Sequence, residues 1–202
     1  MQSASQQGSI SGLSFVRVHT EGILTGTIIL IARTADVIPR GTKADLPTRR
    51  AQAEDKDALA QLFYSAYEAV GLDSANGGVD SLDEAREVVE GLFDGEYGPF
   101  LPEASPVVVN DSGEIIAASL VVERRRGEGL PDAPYIFELF THSAHRRQGL
   151  AERLVRESVA ALKESGHERV SLRIREDNSP ALALYLTLDF NRWQPEAEDD
   201  EL

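Results

Sequence analysis

The segment RRQGLA sets Arg146, Arg147, Gln148, Gly149, Leu150 and Ala151 at the start of what reads as an amphipathic helix. These residue types in this order suit an anion. A helix start presents unpaired N–H groups and the positive end of the helix dipole, which makes it a natural seat for phosphate. Gly149 lets the main chain approach a ligand closely, Ala151 keeps the first turn free of bulk, and Arg146 and Arg147 add positive charge. An ordinary solvated helix start built from the same residues is the competing reading. Other phosphate loops are poorly represented. No GxxxxGK followed by Ser or Thr occurs, and GEGLPD, from Gly127, lacks a third glycine and lies between two expected strands. Nucleotide hydrolysis and dinucleotide redox chemistry therefore have little support.

The remaining reactive side chains narrow the chemistry further. His142 and His145 have a spacing that can suit a metal, but no third ligand accompanies them and no metal is expected. With no cysteine in 202 residues, disulfides, thiolate metal sites and a cysteine nucleophile are excluded, which fits a cytoplasmic protein. The net charge of -14 opposes general binding to nucleic acid or to an anionic membrane and favours cations. The apolar run over 22–32 is much shorter than the roughly 20 residues of a spanning helix. The first ten residues lack the charged start and apolar centre of a secretory signal, and the terminal DDEL reads as part of a solvated acidic tail.

Around the candidate anion seat, hydrophobic periodicity and turn residues define the elements that must position it. Apolar content of 42% and charged content of 27% suit one globular domain with extensions. Residues 1–12 are polar and small, and residues 14–32 read as two strands joined by a turn at Glu21-Gly22, an N-terminal β-hairpin within an extension over 1–45. The main domain is expected over 46–194, with the acidic tail at 195–202. It opens with a strand at 48–53 and a helix carrying Leu59, Leu62, Phe63 and Ala66, with Asp55 as its cap. Phe63, Tyr64 and Tyr67 on that helix read as core and rim. A second helix starts at Ser81 and Glu84 in capping-box spacing and shows Leu82, Ala85, Val88, Val89 and Leu92 to a core. A strand pair turns at 111–113; Arg124, Arg125 and Arg126 then form a solvated hairpin tip before a strand at 135–142. The helix of the opening segment runs to about Ser165, with Leu150, Leu154, Ser158 and Leu162 on one side. A strand at 169–176, a helix with Ser179 as cap and Pro180 in its first turn, and a short apolar segment around 190–193 complete the domain. This order predicts a mixed α/β domain with a central sheet.

RRQGLA resembles the pyrophosphate-binding signature of the GNAT superfamily of N-acetyltransferases: Gln or Arg, two residues, Gly, one residue, then Gly or Ala. FELFTHSAHRRQGLAERLV is similar to that family's preceding strand and following helix, and NSPALALYLTLDF resembles its later segment, where Asn, Ala and Leu-Tyr precede a Gly-Phe pair. Asp189 stands in place of that Gly, Ser143 in place of a common Pro and Arg147 in place of a common Gly. Asp tolerates a left-handed turn better than most residues. The similarity spans roughly 46–193 in element order. It implies a GNAT-like α/β (α+β) fold, a central mixed and mostly antiparallel sheet flanked by helices, here with an N-terminal β-hairpin extension.

The resemblance also implies acetyl-CoA as co-substrate and a primary amine of a small molecule, amino acid or peptide as acceptor; the acidic balance favours a cationic one. In such folds two neighbouring parallel strands splay apart around the pantetheine arm. That places Leu139, Phe140 and Thr141 beside the arm, Arg146 to Ala151 on the pyrophosphate and Asn178 on the opposite side. An alkylammonium has a pKa near ~10.4, so the acceptor must lose a proton before it attacks. Glu138 matches a position where Glu takes that proton through water, and a main-chain N–H of its strand could stabilise the oxyanion. Glu138 as a solvent-facing or arginine-paired carboxylate is the alternative. Tyr185 matches the family's general acid, which protonates the departing thiolate; a core tyrosine with its hydroxyl at the edge is the alternative. The loop over 71–80 is the implied acceptor lid, and the arginines at 124–126 could touch the CoA 3′-phosphate or an acidic acceptor. Dimers are frequent among such proteins, and an added β-segment could support a homodimer. A second functional reading is an acyl-CoA-binding sensor or partner subunit without catalysis.

Overall fold

The structure, a computed structural model, describes residues 26–38, 46–71, 78–125 and 129–194. Among the described residues seven strands form one sheet: β1 (Thr27–Arg33), β2 (Thr48–Arg50), β3 (Pro106–Val109), β4 (Ile115–Val122), β5 (Tyr135–Thr141), β6 (Arg169–Arg175) and β7 (Asn191–Arg192). Their order across it is β2-β3-β4-β5-β6-β1-β7, antiparallel throughout except between β5 and β6. The helices are α1 (Lys56–Glu68), α2 (Leu82–Phe93), α3 (Leu150–Glu164) and α4 (Ser179–Leu186). This is the mixed, mostly antiparallel sheet with flanking helices that the element order predicts.

The second strand expected in the N-terminal extension joins the main sheet. β1 fills the place between β6 and β7, pairing with β6 from Thr27↔Arg175 to Arg33↔Arg169. Its composition explains this. Ile28, Leu30 and Ala32 form a buried face, while Thr27, Ile29 and Ile31 on the other are half-buried, which suits a strand with neighbours on both edges. The sheet thus uses chain that precedes Leu46. The partner strand and turn expected over 14–22 lie outside the described residues, as do 72–77 of the expected lid, Arg126 and the acidic tail.

Each face of the sheet has its own helices. α1 and α2 bury Leu59, Phe63, Ala66, Val89 and Leu92 against Ala118, Leu120 and Val122 of β4. On the other face Val155, Val159 and Leu162 of α3 and Leu188 after α4 pack with Leu30, Val121, Ile136 and Leu172. Ser158, on the apolar side of α3, is accommodated because its hydroxyl meets that of Ser119 at 2.9 Å.

The helix starts follow capping chemistry with local changes. Ser81 Oγ accepts from the Glu84 N–H at 3.1 Å, and the Glu84 carboxylate reaches one residue further back, to the Asp80 N–H at 2.7 Å. The cap of α4 is Asn178 rather than Ser179: its Oδ1 accepts from the Ala181 N–H at 3.1 Å, so Ser179 and Pro180 become the first two helical residues. Asp55 precedes α1 but makes no side-chain cap bond to it. Its carboxylate is taken by Arg49 at 2.6 and 2.8 Å and by the Gln52 N–H at 2.8 Å. A bidentate guanidinium is the stronger partner.

Candidate functional site

The parallel contact between β5 and β6 consists of one pair, Tyr135↔Ser171. Beyond it β5 stays with β4 as far as Thr141↔Ala117, while β6 stays with β1 as far as Arg175↔Thr27. The two strands therefore part. Among the described residues, β5 beyond Tyr135 forms no further ladder pair with β6, so its edge at Leu139, Phe140 and Thr141 borders the gap. A bulge marks the divergence: Leu120 faces Glu138 and Val121 faces Ile136, so Phe137 is an extra residue on β5. The extra residue turns Glu138 toward the α1 face together with Leu120. Without it, period-two alternation would put Glu138 with Ile136 on the α3 face.

At the end of β5 the chain enters a short 3-10 turn, Ser143–His145, and then the start of α3. Gly149 is left-handed at φ 80 and offers no side chain to the first-turn amides; a Cβ built on it would meet nothing within 4 Å. The glycine is needed for its backbone conformation rather than for want of room, and the first-turn N–H groups of α3 follow it. Arg147, Gln148 and Gly149 are exposed and Ala151 is half-buried, whereas Leu150 points into the core. Arg147 is itself left-handed, φ 61, as is Asp189, φ 61, which accounts for glycine being suited to both places. Arg146 turns inward and donates to the Ala66 carbonyl at the end of α1, 2.8 Å away.

Glu138 is 7% exposed. The hydroxyl of Tyr67 donates to its Oε2 at 2.6 Å, and among the described residues no hydrogen bond is made to Oε1. Burial pushes the Glu138 carboxyl up to about 7; the Tyr67 hydrogen bond and the charge of Arg125 oppose that rise. Tyr185 is buried in α4, its ring edge-on to Phe190 at 5.3 Å. Its hydroxyl is pushed well up by burial, then by the charge of Glu138 and by Tyr135. Tyr67 is raised by burial and by Glu138, with Tyr185 contributing. Glu138, Tyr67 and Tyr185 thus share one poorly hydrated place, in reach of each other's charge, beside the strand gap.

Leu139 and Thr141 are half-buried along the gap, whereas the Phe140 ring stacks on Phe63 at 5.5 Å and leaves only its main chain to a ligand. Asn178 is exposed, with Oδ1 engaged in the α4 cap. Tyr67 and Arg125 are the site residues that sequence reading missed. Tyr67 lies one turn after Phe63 on the core side of α1, a place where a tyrosine hydroxyl at the core's edge has to find a partner. Arg125 is not a solvated tip: its guanidinium lies over the rings of Tyr135 and Phe137, 5.1 and 5.5 Å from their centres, and donates to the Tyr135 hydroxyl at 2.8 Å. Gly98 makes that placement possible, since a Cβ there would sit 2.0 Å from the Arg124 carbonyl oxygen. Arg124 itself pairs with Asp132 at the surface, 2.6 Å.

His142 and His145 lie apart from this cluster, their ring centres 5.8 Å from each other. They line a cavity of about 580 Å³ with Arg49, Gln61 and Glu114, to which neither Glu138 nor Tyr185 contributes. The buried ionisable groups Glu138, Tyr67 and Tyr185 lie beside the strand gap rather than in this cavity. Among the described residues no group of three or more His, Cys, Asp or Glu side chains is arranged to hold a metal, and no helix is long and apolar enough to cross a membrane.

Residues 78–190, more than half of the chain, match the acetyltransferase (GNAT) family. No curated protein sequence matches the chain. Among solved structures, the GCN5-related N-acetyltransferase from Sphaerobacter thermophilus superposes with a TM-score of 0.60 at 16% identity, over 83% of this chain and 48% of that one. This chain therefore spans about half the length of that protein. The ribosomal-protein-S18-alanine N-acetyltransferase from Escherichia coli gives 0.55 at 19% identity, over 73% and 79% of the two chains. A chain of the NatC complex bound to Gag peptide and CoA gives 0.54 at 17% identity, over 75% and 87%. At such identities these likenesses concern the fold, and they agree with the family match. By its sequence over 78–190 and by its fold, the chain belongs to the GNAT acetyltransferase family.

Proposed function

We propose that the protein transfers an acetyl group from acetyl-CoA to a primary amine. The observation that carries this reading is the parting of β5 and β6 after a single pair, with Glu138 and Tyr185 buried beside the opening. CoA is the ligand named for the NatC structure, and the groups present here suit it. The open α3 start offers amides of Leu150 and Ala151 to a diphosphate, with Arg147 and Gln148 exposed next to them and Arg146 bracing the turn from behind. The free β5 edge at Leu139, Phe140 and Thr141 suits the amide-bearing pantetheine arm. Asn178 lies across from it as the α4 cap and bears on the arm through the helix start it fixes.

The acceptor amine attacks the thioester carbonyl carbon; a C–N bond forms and the C–S bond breaks. Glu138, as carboxylate, takes the proton that the amine gives up, directly or through one water. With its carboxyl at about 7, the ionised form is substantially populated at neutral pH and still basic enough to accept. A main-chain N–H beside the bulge stabilises the negative charge that develops on the carbonyl oxygen. Tyr185 is the proton donor to the leaving thiolate; burial keeps its hydroxyl protonated at neutrality, and the negative charge arriving on sulfur draws the proton across. An acidic chain without cysteine suits cytoplasmic chemistry on a cationic small molecule, amino acid or peptide amine. The test is to mix the protein with acetyl-CoA and a panel of primary amines and follow free thiol. Acceptor-dependent release is expected; CoA binding without release on any amine would favour a non-catalytic binding role.

A further inference from the structure

Tyr67 joins the helix layer to the carboxylate on β5. Its hydroxyl meets Glu138 Oε2 at 2.6 Å, and the frame around that bond is closed on both sides. The Tyr67 ring stands edge-on to Phe63, 4.8 Å between centres, and Phe63 stacks on Phe140, 5.5 Å, two residues after Glu138 on the same strand. The adjacent residue, Ala66, has its carbonyl held by Arg146 from the α3 loop at 2.8 Å. The last turn of α1 is thus tied at neighbouring residues to the strand that carries the carboxylate and to the loop that offers the anion seat. We propose that Tyr67 is a positioning residue for Glu138, holding Oε2 so that Oε1 is the oxygen left to receive the acceptor's proton.

This inference rests on the acetyl-transfer reading and deepens it. A buried carboxylate with both oxygens unbound would rotate and would favour its neutral form. A single strong donor on one oxygen fixes the plane of the group and favours the charged form. The charged and titratable groups around Glu138 are Tyr67 from α1, Tyr185 from α4, Arg125 from the chain after β4 and Tyr135 on β5 itself. Arg125 also favours the carboxylate but bonds to Tyr135, so Tyr67 is the neighbour with a hydrogen bond to Glu138.

The test is a carbon-13 NMR titration of the intact protein through neutrality, observing the Glu138 carboxyl and the Tyr67 Cζ. In the wild type both signals should step at one midpoint, near the Glu138 value of about 7. In Tyr67→Phe, which keeps the ring, the Glu138 midpoint should rise by about one pH unit, because a donor to the charged form has been lost. The acidic limb of kcat/KM should rise with it while KM for acetyl-CoA stays put. A Tyr67 signal blind to the Glu138 step overturns the proposal without needing any variant. Thiol release by the wild type with an unmoved Glu138 midpoint in Tyr67→Phe overturns the role of Tyr67 and leaves acetyl transfer standing. No thiol release by the wild type on any amine overturns acetyl transfer and this role with it, even if the midpoint moves.

Discussion

Replacing Glu138 with Gln should stabilise the fold at alkaline pH while removing activity. The carboxyl is buried and stands at about 7 in the folded protein against an ordinary 4.5, so the native state binds its proton more tightly than the unfolded chain does. Stability therefore falls as pH rises from about 4.5 to about 7, and the full penalty applies above that window. A displacement of that size corresponds to roughly 3 kcal/mol, at about 1.36 kcal/mol per pH unit. Gln has nearly the same shape, carries no charge and can still accept from the Tyr67 hydroxyl through its amide oxygen. Urea denaturation of both proteins near pH 8 should show the variant more stable by about 3 kcal/mol, and near pH 5 by under about 1 kcal/mol. A general base contributes about 100-fold or more, so kcat should fall by at least that factor and the acidic limb should vanish. Equal stability differences at the two pH values would refute the reasoning, because they would mean that Glu138 ionises in the folded protein as easily as in water.

Two further substitutions probe the other parts of the site. Tyr185→Phe should lower kcat by about 100-fold, the smaller end of what a positioned acid supplies, while calorimetric CoA affinity changes little; unchanged turnover would remove Tyr185 from the chemistry. Gly149→Ala should weaken CoA binding by about tenfold and cost about 1 kcal/mol of stability, since Ala resists φ 80 and shifts the turn that presents the α3 amides. Unaltered CoA affinity in that variant would show that the diphosphate sits elsewhere.

The parts of this site that could be read from sequence are those built from local rules. RRQGLA reads as an open helix start because glycine, small residues and arginines suit an anion within one turn, and the structure starts α3 at that place, with Gly149 left-handed before it. Ser81 caps α2 because the cap and its partner amide are three residues apart. What escaped reading depends on distant chain. The alternation in β1 speaks for a strand, but its place between β6 and β7 follows from what the C-terminal elements leave open, far along the sequence. The bulge at Phe137 is invisible in YIFELFT, yet it decides which face Glu138 occupies. Tyr67 and Glu138 are 71 positions apart, and Arg125 meets Tyr135 only because Gly98 lets the backbone pass close to Arg124. Asn178 and Ser179 are both good caps; Asn178 takes the place because its Oδ1 reaches the Ala181 N–H, and Pro180, second in the helix, still gives up no intrahelical bond.

The central claim, that CoA enters between β5 and β6 with its diphosphate on the start of α3, is tested most directly by backbone amide NMR of the wild type during CoA addition. The account predicts the largest shifts at the Gly149, Leu150 and Ala151 amides and along the free β5 edge at Leu139, Phe140 and Thr141. Shifts confined to other regions, such as the cavity lined by His142 and His145, or no shifts at saturating CoA, would contradict it.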